Sequence, residues 1–444
     1  MTGDGGNVYM PQKIVDYFKG KKVLILGYGR EGKTTFSFLR KYYPEMIITI
    51  ADRNQIEPVD ENTRVICGEN YLDTLGEYDI IMQSPGISLR DVTVPDTTEI
   101  SGQMDLFLRF ADCVKVGITG TKGKTTTTTL IYNMIKESGK KCFLLGNIGI
   151  PVFESLDEIE NSIAVIEMSC HQLEFSKASP DISVITNIYP EHLDHYNGFE
   201  GYYNAKLNIV RYQNENDYLI YNKDQGLDEF IDIQTIKSKL VPVGVNDCES
   251  NESLKSLINI NDNLTGEHYK QDIFFVAAVA DILKIDNHIV KASLEKFNGI
   301  EHRLEKVGTF KEITFYNDSI ATIPHTVILN VRALGNVNSL IFGGLDRGID
   351  YSELIEFLLE SNIENLIGLP ETGYTIIDEL KKRGCKKKMF KTDTMDEAVR
   401  VSYENGKKGT SCLFSPAASS YNRYKNFEEK GRHFKSLCKT IGEE

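Results

Sequence analysis

Apolar positions along the chain fall into short runs that alternate with longer stretches of helical period. Residues 23–26 (VLIL) end in glycine, residues 46–51 form a second run closed by Asp52, and residues 78–83 form a third, stopped by Ser84, Pro85 and Gly86. A helical pattern occupies 34–43. Short apolar runs bounded by turn residues suit strands buried on both faces. Their alternation with helices predicts βαβ units and a parallel sheet. The pattern restarts near residue 114 with a strand at 114–118, a glycine-rich turn and a helix at 124–137. Further strands are expected at 142–145, 163–166, 182–186 and 217–221, and a helix at 274–283. The stretch 224–264 is polar and irregular and reads as peripheral. A third restart near residue 302 predicts strands at 310–316, 339–342, 363–367 and 411–414, with helices at 324–334 and 351–359.

The length agrees with this count. A chain of 444 residues exceeds one ordinary core, and at about 150 residues per domain it suggests three. The expected divisions are 1–111, 112–301 and 302–444, an α/β organisation throughout. Hydrophobic residues at 41% and charged residues at 26% are ordinary globular values and argue against disorder or collagen. Fifty basic against 64 acidic residues give a net charge of −14. So acidic a chain is a poor partner for nucleic acid or an anionic membrane. It can still hold a small anion, because local amides and a few cations dominate over short distances. The eight cysteines form no C-x-x-C pair, which reads as a reduced, cytoplasmic protein rather than a disulfide or zinc scaffold. Residues 1–22 show no signal-peptide pattern, and no run approaches the length of a membrane span. Secretion and membrane insertion are not expected.

Two glycine loops carry the candidate chemistry. The first, GYGREG at 27–32, is G-x-G-x-x-G between a strand and a helix, with Asp52 20 residues after Gly32. Gly27, Gly29 and Gly32 would let a backbone approach a pyrophosphate at a helix N-terminus. NAD and a nucleotide-sugar pyrophosphate make the same demand, and a bare strand-to-helix turn would look alike. The second loop, GITGTKGKTT at 117–126, is more specific. Its Gly-Lys-Thr is that of a phosphate loop: the amides around Gly120, Thr121 and Gly123 would cradle phosphates, Lys124 would neutralise the β/γ oxygens, and Thr125 could coordinate Mg²⁺. The strict G-x-x-x-x-G-K-T spacing fails, since Ile118 stands at the first glycine position. Five successive threonines from Thr125 are poor helix formers, so a purely structural reason is hard to find. ATP is the expected nucleotide.

Glu167 and His192 follow apolar strands, where ligands sit in open α/β sheets. Glu167 with phosphate oxygens makes a plausible Mg²⁺ shell. His192 alone reads equally well as a satisfied polar residue. From the sequence alone Lys206 reads as a solvated helix lysine.

Taken together these motifs resemble the Mur ligase superfamily, most closely its MurD type, the UDP-N-acetylmuramoyl-L-alanine:glutamate ligases. The matching stretches are GITGTKGKTTT at 117, GNIGIPV at 146, EMSCHQLE at 167, NIYPEHLDHYNGFEGYYNAKLNI at 187, EHRLE at 301, NDSIAT at 317, GGLDRGID at 343 and SPAASSYNRYKNFEEKGRHF at 415. The resemblance implies an N-terminal Rossmann-like domain for the UDP-linked substrate, a central ATPase-like parallel sheet, and a Rossmann-like C-terminal domain that closes over ATP and binds glutamate. It implies an ATP-dependent amide ligase of peptidoglycan precursor synthesis that works through an acyl phosphate, as a monomer. On it, Lys124, Thr126, Asn147, Arg303 and Asp318 meet ATP, and Thr125 and Glu167 hold Mg²⁺. His192 serves a second Mg²⁺ or the substrate carboxylate, and Lys206 matches a lysine that is carbamylated. The resemblance also turns the GYGREG loop, Asp52 and Ser84 towards UDP, and Thr322, Ser420 and Phe427 towards glutamate. The chain departs from the pattern at Lys122, where asparagine is common, and at Ile320, where lysine is usual. Tyr269 and Asp272 stand where two asparagines often flank adenine. Arg347 replaces a lysine expected on the glutamate carboxylate, so D-glutamate is the default and a ligase specific for L-glutamate, or a Mur-like nucleotide-binding protein without this activity, the alternative.

Overall fold

The computed structural model describes residues 10–193, 195–196, 198–227, 230–249, 252–258, 260–261, 264, 267–346, 348–419 and 423–444. It contains three sheets, and the chain divides into two compact units, Met1–Phe297 and Asn298–Glu444.

The first unit begins with α1 (Met10–Phe18), β1 (Val23–Leu26), α2 (Arg30–Tyr42), β2 (Ile48–Asp52), β3 (Thr63–Cys67), β4 (Ile80–Gln83), β5 (Glu99–Ser101) and α3 (Gln103–Phe110). The strands pair in parallel in the order β3-β2-β1-β4-β5. The order reverses at β1, and the GYGREG loop leaves β1 at that switch point, where a doubly wound sheet opens a crevice.

The same unit continues with β6 (Val114–Thr119), α4 (Lys124–Glu137), β7 (Cys142–Gly146), β8 (Ile163–Glu167), α5 (Cys170–Leu173), β9 (Ile182–Ile185), α6 (Phe199–Arg211), β10 (Tyr218–Asn222), β11 (Lys239–Val243), α7 (Glu252–Lys255), α8 (Glu267–Leu283) and α9 (Asn287–Glu295). These strands form a second parallel sheet, β11-β10-β9-β6-β8-β7. β9 and β6 form its centre; β9 is buried throughout and β6 at every position but Val114. The stretch read as irregular contains β11. That strand is mostly exposed and carries Pro242, and it pairs only along the edge with β10, the position where a proline is tolerated.

The second unit holds β12 (Glu305–Phe310), β13 (Ile313–Asn317), α10 (Pro324–Leu334), β14 (Val337–Phe342), α11 (Ser352–Glu360), β15 (Asn365–Gly368), α12 (Thr372–Lys382), β16 (Lys388–Lys391), α13 (Met395–Asn405), β17 (Ser411–Phe414) and α14 (Phe427–Glu443). The sheet order is β12-β13-β17-β14-β15-β16, parallel except for the β12–β13 hairpin. The single strand expected over 310–316 is in fact that hairpin. It turns at Lys311 and Glu312, both at positive φ (48° and 64°), the conformation of a two-residue hairpin turn. Neither residue is a glycine or asparagine, so the turn left no sequence signal. The three-sheet α/β class expected from the pattern is the class found.

Candidate active site

The GYGREG loop is held from both sides. Gly27 donates its N–H to the Ala51 carbonyl at 2.8 Å, and Ser84 Oγ donates to the Gly27 carbonyl at 2.8 Å. Asp52 Oδ2 accepts the Tyr28 N–H at 2.7 Å, and its Oδ1 accepts the Asn54 N–H at 2.8 Å. Gly32 packs so tightly on the turn that a Cβ there would lie 2.0 Å from the Gly27 oxygen. Gly29 caps α2. Gly27, Gly32, Asp52 and Ser84 are therefore one assembly, and the two polar side chains act on the loop backbone. Arg30 reaches out of it to donate to the Gly149 carbonyl at 2.6 Å. Next to it, burial pushes the Glu31 carboxyl up to about 7, while Gln172 Nε2 donates to Glu31 Oε1 at 2.7 Å. Neither Glu31 nor Gln172 stood out in the sequence as a ligand candidate.

The second loop joins the end of β6 to the start of α4. Gly120 has φ +152°, and a Cβ there would meet Thr186 Oγ1 at 1.9 Å. Thr186 donates to the Lys122 carbonyl at 2.7 Å, and Asn187 both accepts the Lys122 N–H at 2.8 Å and donates to the Lys122 carbonyl at 2.9 Å. The 119–123 backbone is thus clamped by the end of β9. Lys122 adds no free charge near the loop, because its amine pairs with Glu191 at 2.7 Å.

Two amines converge on one carbonyl. Lys124 Nζ donates to the Gly120 oxygen at 2.9 Å and to the Thr121 oxygen at 3.1 Å, while Lys206 Nζ donates to the Gly120 oxygen at 2.8 Å. Lys206 is not the solvated helix lysine its local sequence suggests: it is 1% exposed. Burial, and then the neighbouring Lys124 charge, bring its pKa down to about 7. Burial likewise lowers Lys124, against the pull of Glu167 and Glu191. Tyr202, four residues before Lys206 on α6, puts its ring 4.8 Å from that amine and shares a hydrogen bond of 2.9 Å with Thr121. The i, i+4 spacing was the available signal for Tyr202.

Glu167 ends β8 beside β6, with Glu167 in register with Ile118. It is 1% exposed. Its Oε1 accepts from Asn147 Nδ2 at 2.6 Å, and its Oε2 has no partner among the described residues. A buried carboxylate oxygen without a donor asks for a cation or a ligand donor. One carboxylate, the Thr125 hydroxyl and phosphate oxygens make the kind of set Mg²⁺ accepts, since it keeps water and needs few protein ligands. His192, at φ +55°, stands in an aromatic group. Its ring is 5.0 Å from that of His171 and 6.2 Å from that of Tyr202, and His195 Nε2 lies 3.0 Å from Glu174 Oε2.

Asp272 is turned inward. Thr127 Oγ1, on α4, donates to its Oδ1 at 2.6 Å, and burial pushes its carboxyl up to about 7.

In the second unit, Asp318 is fully buried. It accepts from the Leu304 N–H at 3.1 Å, from Asn330 Nδ2 at 2.5 Å and from Ser415 Oγ at 2.7 Å, and burial raises its pKa to about 6. Arg303 and Thr322 are exposed, and Phe427 opens α14 with its ring 5.9 Å from that of His302. Arg347 and Ser420 lie outside the described residues.

A phosphate loop between a strand and a helix of a parallel sheet, with a buried glutamate at the end of the adjacent strand, defines a nucleotide-dependent transferase or ligase site. Residues 118–300 match the Mur ligase middle domain. The UDP-N-acetylmuramoylalanine–D-glutamate ligase of Acetivibrio thermocellus is 31% identical, over 97% of this chain and 100% of the relative. That of Clostridium botulinum (strain Okra, type B1) is 32% identical over 97% and 99%. Among solved structures, the UDP-N-acetylmuramate-alanine ligase MurC of Thermotoga maritima is similar at TM-score 0.54 and 19% identity, over 95% of this chain and 100% of that one. The MurF ligase of the same organism, in complex with ADP, follows at TM-score 0.52 and 16% identity, over 98% of each chain. At such identities the two structures speak for the fold alone. The chain belongs to the Mur ligase family of ATP-dependent ligases, in its UDP-N-acetylmuramoylalanine–D-glutamate ligase branch.

Proposed function

We propose that this protein joins D-glutamate to UDP-N-acetylmuramoyl-L-alanine with ATP and Mg²⁺, in the cytoplasmic assembly of peptidoglycan precursors. The observation that carries the reading is the convergence of Lys124 and Lys206 on the Gly120 carbonyl beside the half-satisfied Glu167. An anion entering the loop would draw Lys124 from two backbone carbonyls onto phosphate, where its charge and the loop amides hold the β and γ groups. Such phosphoryl transfer depends mainly on positioning and charge neutralisation. Thr125 and Glu167 would hold Mg²⁺, with Asn147 orienting the carboxylate; when bound, the cation neutralises charge on the phosphates.

The alanyl carboxylate attacks the γ-phosphorus, ADP leaves, and an acyl phosphate forms. The glutamate amine then attacks the acyl carbon, loses a proton, and inorganic phosphate departs as the amide forms. His192 would orient the acceptor carboxylate. Lys206 would react as a neutral amine with CO₂, forming a C–N bond and releasing one proton, which turns a like charge beside Lys124 into an oxygen ligand.

Residues 1–111 would take the UDP-linked substrate on the GYGREG loop, 112–301 ATP, and 302–444 glutamate. The naming of the Acetivibrio and Clostridium relatives supports the D-enantiomer. Because Arg347 departs from the family pattern, phosphate release is measured with UDP-N-acetylmuramoyl-L-alanine, ATP and Mg²⁺ in separate D- and L-glutamate arms. Release with D-glutamate is expected. Release with L-glutamate alone overturns the enantiomer, and release with neither overturns the substrate assignment.

A further inference from the structure

Two consecutive residues tie the GYGREG loop to the segments that hold Glu167. Arg30 and Glu31 open α2, directly after Gly29. Arg30 Nη2 donates to the Gly149 carbonyl at 2.6 Å, and Glu31 Oε1 accepts from Gln172 Nε2 at 2.7 Å. Both partners follow strands of the second sheet, Gly149 after β7 and Gln172 after β8. The Arg30 guanidinium is exposed, and among the described residues it makes no other hydrogen bond. A guanidinium has more donors than this one bond uses, and an anion held by the amides at the start of α2 would lie beside it.

Gly149 lies in a stiff turn. The Gly146 N–H donates to the Ile150 carbonyl at 3.1 Å, and the Ile150 N–H to the Leu144 carbonyl at 3.3 Å. Gly146 and Gly149 have φ +97° and +76°, and a Cβ would lie 2.3 Å from the Glu167 oxygen at the first and 2.1 Å from the Leu144 oxygen at the second. Such a turn moves as one piece. Asn147 sits inside it, and donates its N–H to the Glu167 carbonyl at 3.0 Å and its Nδ2 to Glu167 Oε1 at 2.6 Å. One short turn therefore separates the Arg30 guanidinium from the Glu167 carboxylate. On the other side Gln172 is fixed by a capping box. Its Oε1 accepts the Ser169 N–H at 3.1 Å, and its own N–H donates to Ser169 Oγ at 3.2 Å. Ser169 stands just beyond Glu167, so the Glu31 link ends beside the same carboxylate.

We propose that Arg30 couples the two glycine loops: it meets the pyrophosphate of the UDP-linked substrate with one edge of its guanidinium and keeps the Gly149 carbonyl on the other. Occupancy of the GYGREG loop then fixes the turn that carries Asn147, and through it the Glu167 carboxylate at the ATP site. Arg30 is a substrate contact and a positioning residue at once; Glu31 and Gln172 hold the opposite flank in place. The inference rests on the reading of GYGREG as the UDP loop. A ligand on one loop shifts the other only by the contacts it makes in one arrangement and not in the other, and the planar fork pinned by Gly149 is that contact.

The test is calorimetric titration of the full chain with the ATP analogue AMPPNP and Mg²⁺, alone and with each chain saturated by UDP-N-acetylmuramoyl-L-alanine. A parallel arm uses UDP. Wild type, Arg30→Ala and Arg30→Lys are compared. In wild type the uridine ligand should tighten AMPPNP at least about fivefold, within the usual range of coupling between two sites, and in Arg30→Ala that gain should fall below about twofold. Arg30→Ala should bind AMPPNP alone as wild type does and melt at the same temperature. Arg30→Lys keeps the charge but not the fork, and should lose the gain as well; it decides alone if Arg30→Ala does not fold. No gain in wild type with either uridine ligand, or a full gain in either variant, overturns the inference. So does weaker binding of AMPPNP alone to Arg30→Ala, which would mark a structural defect in place of lost coupling. Gain with UDP but no binding of UDP-N-acetylmuramoyl-L-alanine overturns the substrate assignment and leaves the coupling standing. Phosphate release with D-glutamate by a wild type that shows no gain does the reverse.

Discussion

Replacing Lys206 by alanine tests the least obvious part of the site. In water a lysine with a pKa of 10.5 is only about 0.3% neutral at pH 8, whereas one near 7 is about nine-tenths neutral, so the fraction able to attack CO₂ rises roughly 300-fold. On the proposed mechanism, the buried amine beside Tyr202 and Lys124 is the one that takes up CO₂. Once carbamylated, it no longer repels Lys124 across the Gly120 carbonyl, and it presents oxygens to a cation. A charge-assisted contact contributes about 1.5–3 kcal/mol, so its loss from the reacting complex should lower kcat about 10–100-fold. Steady-state phosphate release is the assay. Lys206→Ala should lose that factor in kcat with the KM for ATP little changed, and formate or acetate should restore part of it. Stripping CO₂ from the buffer should also slow wild type. A Lys206→Ala enzyme within threefold of wild type, or one with a large loss and no response to any short carboxylate, would refute the reasoning.

Lys124→Ala should abolish phosphate release: Lys206, the other amine on the Gly120 carbonyl, would be an anionic carbamate in the working enzyme, and Lys122 is paired with Glu191, so neither replaces its charge on the phosphates; turnover near wild type would show the loop to be structural. Lys122→Ala should change kcat less than threefold, since its amine is exposed and already paired with Glu191, and such pairs contribute about 0–1 kcal/mol. Gly32→Ala puts a methyl 2.0 Å from the Gly27 oxygen; it should cost about 1–3 kcal/mol of stability and raise the KM for the UDP-linked substrate before that for ATP. Asp272 has a folded pKa near 7 against an unfolded value near 4. Between those values the folded state holds the extra proton, so its contribution to stability falls as pH rises from about 4 to 7 and stays unfavourable above. Asp272→Asn keeps the acceptor for Thr127 and removes that slope. Thermal melts should show a gain at pH 8 that vanishes near pH 4, and an unchanged difference across that range would count against a buried, protonated acid.

The strands were legible where burial is on both faces. β1 and β8 read as near-continuous apolar runs because they are buried at every position, as strands of a parallel sheet covered on both faces are. β11 was not legible, because an edge strand carries exposed residues and a proline. The β12–β13 turn was missed for a different reason: its positive φ falls on Lys311 and Glu312, and tertiary pairing rather than local preference holds them there.

The site divides along the same line. The glycine loops were legible because backbone approach demands a residue type at a fixed spacing. Lys206 and Asp272 entered only through the family resemblance, because nothing in their local sequence distinguishes them from surface residues; burial makes them unusual, and burial is tertiary. The chain's charge of −14 is diffuse, and many of its carboxylates are matched on the surface by lysines and arginines, as Glu191 is by Lys122. The cations that matter to an anionic ligand are the few removed from water, because a desolvated ammonium without a carboxylate partner gains most when an anion arrives. Among the described residues, Lys124 and Lys206 donate only to backbone carbonyls. An acidic protein can therefore recognise polyanionic substrates without a basic surface, provided its unpaired cations are buried where the ligand's charged groups come to rest.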